Sequence, residues 1–98
     1  MMGMQMNRTR YSEVDAAVAA EIRVEIARNR GVSVSSIANE LGMRRATLSA
    51  RVNGHVAFTP GELSAVAMML GTTAAMITSR AEAVVAAMRS PQSMKAAA

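Results

Sequence analysis

Ile37-Ala38-Asn39-Glu40-Leu41-Gly42-Met43-Arg44-Arg45-Ala46-Thr47-Leu48-Ser49 reads as two short helices joined by a tight turn. Apolar residues at 37, 41, 43 and 48 and the small Ala38 can face one interior. The second of the two helices opens on Arg44 and Arg45, so the pair presents one exposed, basic helix end. A helix end of that kind matches the major groove of DNA.

Start and stop signals on either side of this stretch mark out three more helices. Upstream, Val14, Val18, Ile22 and Ile26 recur every four residues, which predicts an amphipathic helix from about Glu13 to Asn29. Ser12 supplies a cap for it, with acids in its first turn, and Gly31 a stop. Ser33 caps the second helix, about Val34 to Leu41, and Gly42 ends it. The third runs from about Arg44 to Val52 before the Asn53-Gly54 turn signal. Downstream, Thr59, Pro60 and Glu62 form a capping box with proline at the first helical position. Phe58 and Leu63 flank the box as a hydrophobic staple. This fourth helix runs to Leu70 and stops at Gly71. Thr73 caps a fifth, from about Ala74 to Arg89, and Ser90-Pro91 ends it.

No sustained alternating run argues for a strand, so the fold is all-α, one domain of five helices. Residues 1–11 read as a flexible N-terminal arm, 12–89 as the folded domain with the helix-turn-helix at about 34–53, and 90–98 as a C-terminal tail. The crowded Met1, Met2, Met4 and Met6 leave the start codon open. Tyr11 and Phe58 are the only aromatic residues, so the core is built of Ala, Val, Ile, Leu and Met.

Eleven basic residues oppose seven acidic ones, for a net charge of +4. The balance favours a polyanionic partner. Ten of the basic residues are arginine, which suits bidentate recognition of phosphate and guanine, although a GC-rich genome produces the same bias. Cysteine is absent, which fits a reducing compartment and removes thiolate metal sites. No apolar run resembles a signal peptide or a membrane span. The expected location is the bacterial cytoplasm or nucleoid, with no cofactor and no bound metal. Catalysis is not expected: no serine or threonine has a histidine and carboxylate set, and no glycine loop cradles phosphate. Glu21 and Glu25, one turn apart among arginines, read as a solvated face.

Five helices with the second and third as a helix-turn-helix resemble the lambda-repressor-like family, which includes Cro and the Xre-type regulators. The resemblance covers about Ala17 to Met76. Measured from Gly42, that family's motif has a small residue four before and apolar residues five before, one before, one after and six after. Ala38, Ile37, Leu41, Met43 and Leu48 fill these places. The chain departs from the motif nine after the glycine, where Arg51 replaces an apolar residue and Val52 stands beside it. The Arg51-Val52-Asn53-Gly54 ending is similar to variants among actinobacterial and phage regulators.

The resemblance implies a sequence-specific transcriptional regulator of the phage Cro or repressor type, binding double-stranded DNA at an operator as a homodimer. In that geometry Arg44 and Arg45 reach guanine edges or phosphates, and which of the two reads a base stays open. Ala46 and Thr47 offer contacts to a thymine methyl, and Ser49 to a phosphate. Arg51 belongs to the same basic surface. Ser33 and Ser35 flank Val34, which occupies the family's DNA-contacting place in the second helix. Asn53, Gly54 and His55 follow the recognition helix where the family lies along phosphates, so backbone N–H groups there are expected to donate to phosphate oxygens. Arg8 and Arg10 sit in the arm, which in this family can wrap the duplex.

Ile77, Ala81, Val84, Val85 and Met88 form an apolar stripe on the fifth helix, read as a homodimer contact. One helix-turn-helix module buries only about 600–1,000 Å² on DNA, so pairing two gains affinity and selects a spaced site. The alternative is that the stripe folds back onto Val14 and Val18. Two other functions stay open. One is an antitoxin-type interaction module that binds a protein partner through the C-terminal helix. The other is a phage accessory factor that uses DNA binding for excision or architecture.

Overall fold

The computed structural model describes the backbone of residues 2–89 and the side chains of residues 13–89. The chain folds as five helices: α1 Met2–Arg28, α2 Val34–Leu41, α3 Arg45–Val52, α4 Pro60–Met69 and α5 Ala74–Arg89. No strand occurs among the described residues.

Local chemistry explains most of the boundaries. Ser33 and Ser36 make a reciprocal capping box at the start of α2: the Ser36 N–H donates to Ser33 Oγ at 3.1 Å and the Ser33 N–H to Ser36 Oγ at 2.8 Å. Gly42 ends α2 with φ 66°, a left-handed conformation that costs a side-chain-bearing residue energy. The Met43 N–H then closes the turn on the Ala38 carbonyl at 2.9 Å. Thr59 and Glu62 form the expected box at α4, with Pro60 at the first position. At α5 the Thr73 hydroxyl accepts from the Met76 N–H at 3.1 Å.

The first helix differs from the sequence expectation. It does not start at Glu13 behind a free arm but runs unbroken from Met2 past Ser12. From Met4 to Asp15 there is no glycine or proline to stop it, and Met, Gln and Arg are good helix formers. Arg8 and Arg10 therefore lie on a helical extension rather than in a flexible arm, and their side chains fall outside the described residues. The tail from residue 90 onward lies outside them too.

One fully buried side chain from each helix meets in the centre: Ile22, Ile37, Leu48, Val66 and Ile77. Burying each contributes about 1.5–3 kcal/mol, so every helix has its own anchor in a common core. Val18, Ala38, Val52, Leu63, Ala67, Leu70 and Ala81 complete it, with Phe58 half-buried alongside Leu63.

The longest seam joins α1 to α5, and it revises the dimer reading. Ile77 and Ala81 are wholly buried inside their own domain and cannot meet a second chain. The stripe is amphipathic in a split way: its first half is core, whereas Val84 is 43% exposed and Met88 77%. Those two and the half-buried Val85 border a shallow apolar groove with Ala16, Ala17 and Ala20 of α1. An Arg89–Glu13 ion pair closes the groove's end.

Candidate nucleic-acid interface

The helix-turn-helix is set by packing on one side of α2 and α3. Ile37 and Ala38 of α2 and Leu48 and Val52 of α3 are buried, and the small Ala38 allows the two helices to cross closely. Leu48 and Val52 are four apart, so they share one face of α3 and turn the opposite face outward. Val52 takes the buried place that Arg51 leaves, which settles the register of α3.

Arg44 is the N-cap of α3, one residue outside the helix, with φ −69° and ψ 139°. No side chain caps this end, unlike the starts of α2 and α4. Its first N–H groups and the positive end of the helix dipole are thus left for solvent or an anion. Arg44, Arg45 and Ala46 are exposed around it, and Thr47 is half-exposed.

Arginine usage divides sharply. Arg23, Arg28, Arg51, Arg80 and Arg89 each have an internal acceptor. Among the described residues the guanidinium groups of Arg30, Arg44 and Arg45 have none. Cations left without a protein partner on an exposed helix end can be given wholly to an outside anion.

Several expected contacts are placed differently. Arg51 does not point outward with the basic set. Its side chain is 19% exposed and its Nε donates to Glu62 Oε1 at 3.1 Å. The nearest acid in space takes it away from the surface. The backbone N–H groups of Asn53, Gly54 and His55 are also committed, to the carbonyls of Ser49, Arg51 and Ala50. Gly54 at φ 80° makes that helix-ending turn, so these amides are not phosphate donors. The side chains of Asn53 and His55 remain exposed, although Asn53 Nδ2 donates to Ser49 Oγ at 3.2 Å. Ser33 Oγ is occupied by its capping box, and Ser35 is exposed beside it.

Three interactions near the site were missed in the sequence. Arg23 Nη1 of α1 donates to the Val52 carbonyl at 2.7 Å and so caps the C-terminal end of α3. Glu25 is not on a solvated face. It is 9% exposed and pairs with Arg80 at 3.0 Å and Arg28 at 3.6 Å. Its position carried a signal, because Val18, Ile22 and Glu25 follow the i, i+4, i+7 spacing of the buried stripe. Glu62 serves two donors, the Thr59 N–H at 3.0 Å and Arg51. The Thr59 backbone N–H first, and the Arg51 guanidinium second, hold its carboxyl below the ordinary carboxylate value.

No protein-family model, curated protein or solved structure matches the chain. Among the described residues no single helix is long and apolar enough to cross a membrane.

Proposed function

We propose that the chain is a sequence-specific DNA-binding transcriptional regulator that lays α3 in the major groove, in the manner of the lambda-repressor-like family it resembles. The observation that carries this reading is the start of α3. It is exposed and uncapped, and among the described residues its two arginines have no internal partner, while Leu48 and Val52 anchor the opposite face in the core. Arg44 and Arg45 make guanine and phosphate contacts, with Ala46 and Thr47 beside them. The protein is a binding protein, not an enzyme, and acts in the bacterial cytoplasm by occupying an operator and blocking polymerase. Two copies pair through the exposed end of the α5 stripe, Val84, Val85 and Met88, and thereby read a two-fold-related site. The same apolar end favours a second reading, an antitoxin that covers it with a protein partner and uses DNA binding for autoregulation.

Selection from a random duplex library at two salt concentrations tests the proposal. A two-fold-related motif is expected. Arg44→Ala or Arg45→Ala should then weaken binding by about 1–3 kcal/mol, roughly 5- to 150-fold, with relaxed preference at one position if a base is read. A phosphate contact instead weakens all sequences alike and lowers the salt slope by about one. Full binding by both variants would remove α3 as the recognition surface. Binding to no duplex at either salt would leave the interaction reading.

A further inference from the structure

The geometry points to Arg51 and Glu62 as positioning residues that fix the angle of α3, and so set how well this protein discriminates one DNA sequence from another. The inference rests on the proposed DNA-binding role and concerns side chains that touch no DNA in it.

Both ends of α3 are held, but by different means. At its N-terminal end the Gly42 turn ties it to α2. Its last turn is held by three contacts from two other helices. Arg51 donates to Glu62 at the first turn of α4. Arg23 of α1 donates to the Val52 carbonyl. The Gly54 turn lies against α1, where a methyl group added at Gly54 would sit 3.6 Å from Ala19 Cβ. Arg51 is thus the link from the recognition helix to α4, and Arg23 the link to α1.

The brace controls angle because α3 is short. It has eight residues, so at about 1.5 Å per residue it is about 12 Å long, and a tilt of about 10° at its C-terminal end moves Arg44 by about 2 Å. A bidentate pair to guanine requires placement within about 0.5 Å. Coulomb attraction to phosphates changes little over the same displacement. Losing the brace therefore costs discrimination more than general affinity for DNA.

Two variants separate this role from a direct contact. Glu62→Gln keeps the capping box, since glutamine serves there as glutamate does, but removes the negative partner of Arg51. Arg51→Met keeps an apolar stem in the half-buried site and removes the cation. Three quantities are compared with the wild-type protein: the melting temperature, the ratio of affinity for the selected motif to affinity for random duplex, and amide exchange along α3. With melting within a few degrees, both variants should lower the ratio about tenfold or more and speed α3 exchange by a similar factor. Random-duplex affinity should rise in Glu62→Gln, which gains net positive charge, and fall less than about threefold in Arg51→Met. Arg51→Lys should recover most of the ratio.

An unchanged ratio in both variants overturns the inference. Equal losses on motif and random duplex in Arg51→Met, with Glu62→Gln unaffected, would overturn it in favour of a phosphate contact by Arg51. If the wild-type protein selects no motif, the proposed function fails separately. The brace is then judged by exchange alone, and unchanged α3 exchange refutes it.

Discussion

Leu48→Ala tests whether α3 depends on a single anchor. Leu48 is wholly buried among Ile22, Ile37, Val66 and Ile77, one residue from each of the other helices. Shortening it removes three carbons and leaves a cavity, which costs about 2.7–5 kcal/mol where the surroundings cannot collapse. Collapse is resisted here, because the Arg23–Val52 and Arg51–Glu62 contacts and the close crossing at Ala38 hold α3 away from the gap. The expected loss is therefore about 3–4 kcal/mol, a large part of the roughly 5–10 kcal/mol typical of a domain this size. Urea unfolding should show a lower midpoint at unchanged slope, and the melting temperature should fall by about 12–30 °C. An eight-residue helix has little stability of its own, so the proposed DNA binding should be lost at milder conditions than global unfolding. Leu48→Met, which conserves volume, should cost less than about 1.5 kcal/mol. A Leu48→Ala protein within about 1 kcal/mol of wild type, with the same slope, would refute the placement of Leu48 at the hub.

Other perturbations probe the remaining contacts. Arg80→Ala takes the 3.0 Å partner from the buried Glu25; because Arg80 is 42% exposed, the expected cost is about 1–2 kcal/mol by urea unfolding, and Glu25→Gln in the same chain should restore part of it. The Glu62 carboxyl is held below its ordinary value of 4.5, so its stabilisation is complete above about that pH and is lost as pH falls through the lower folded value; melting curves of wild type and Glu62→Gln should converge on acidification. Gly42→Ala meets open space but must adopt φ 66°, and should cost about 1–2 kcal/mol in thermal unfolding. Met88→Glu, at the most exposed large apolar side chain among the described residues, should leave melting in place and shift the proposed dimer toward monomer in sedimentation; a retained dimer would move the pairing surface elsewhere.

What was legible in the sequence was whatever depends on neighbours along the chain. The capping box at Thr59–Glu62, the Gly42 turn and the four-residue stripe of α1 are local signals, and four of the five helices begin within a residue of their expected places. The start of α1 was misplaced because Ser12 can cap a helix but need not, and nothing between Met4 and Ser12 forbids helix. Long-range partners were not legible. Arg51 looked like one more arginine of a basic helix, and only the approach of α4 brings Glu62 to it. The stripe on α5 was read correctly as apolar, but pattern alone does not say whether such a face meets its own domain or a second copy. Ile77 and Ala81 went inward, because α1 offers them a complementary face.

The seam between the first and last helices has a consequence for synthesis. The core that positions α3 needs Ile77 and Ala81, and they emerge last among the described core residues. Until α5 has left the ribosome, Ile22 and Val18 lack part of their cover, and the helix-turn-helix stands on an unfinished support. At about 5–20 residues per second, the stretch between α3 and the end of α5 takes a few seconds to appear. A protease that cuts between Gly71 and Ala74 would leave α3 with its contacts to α1 and α4, but on a core that lacks Ile77 and Ala81. The last helix thus finishes the core beneath α3, and only chains made as far as Ala81 carry that support in full.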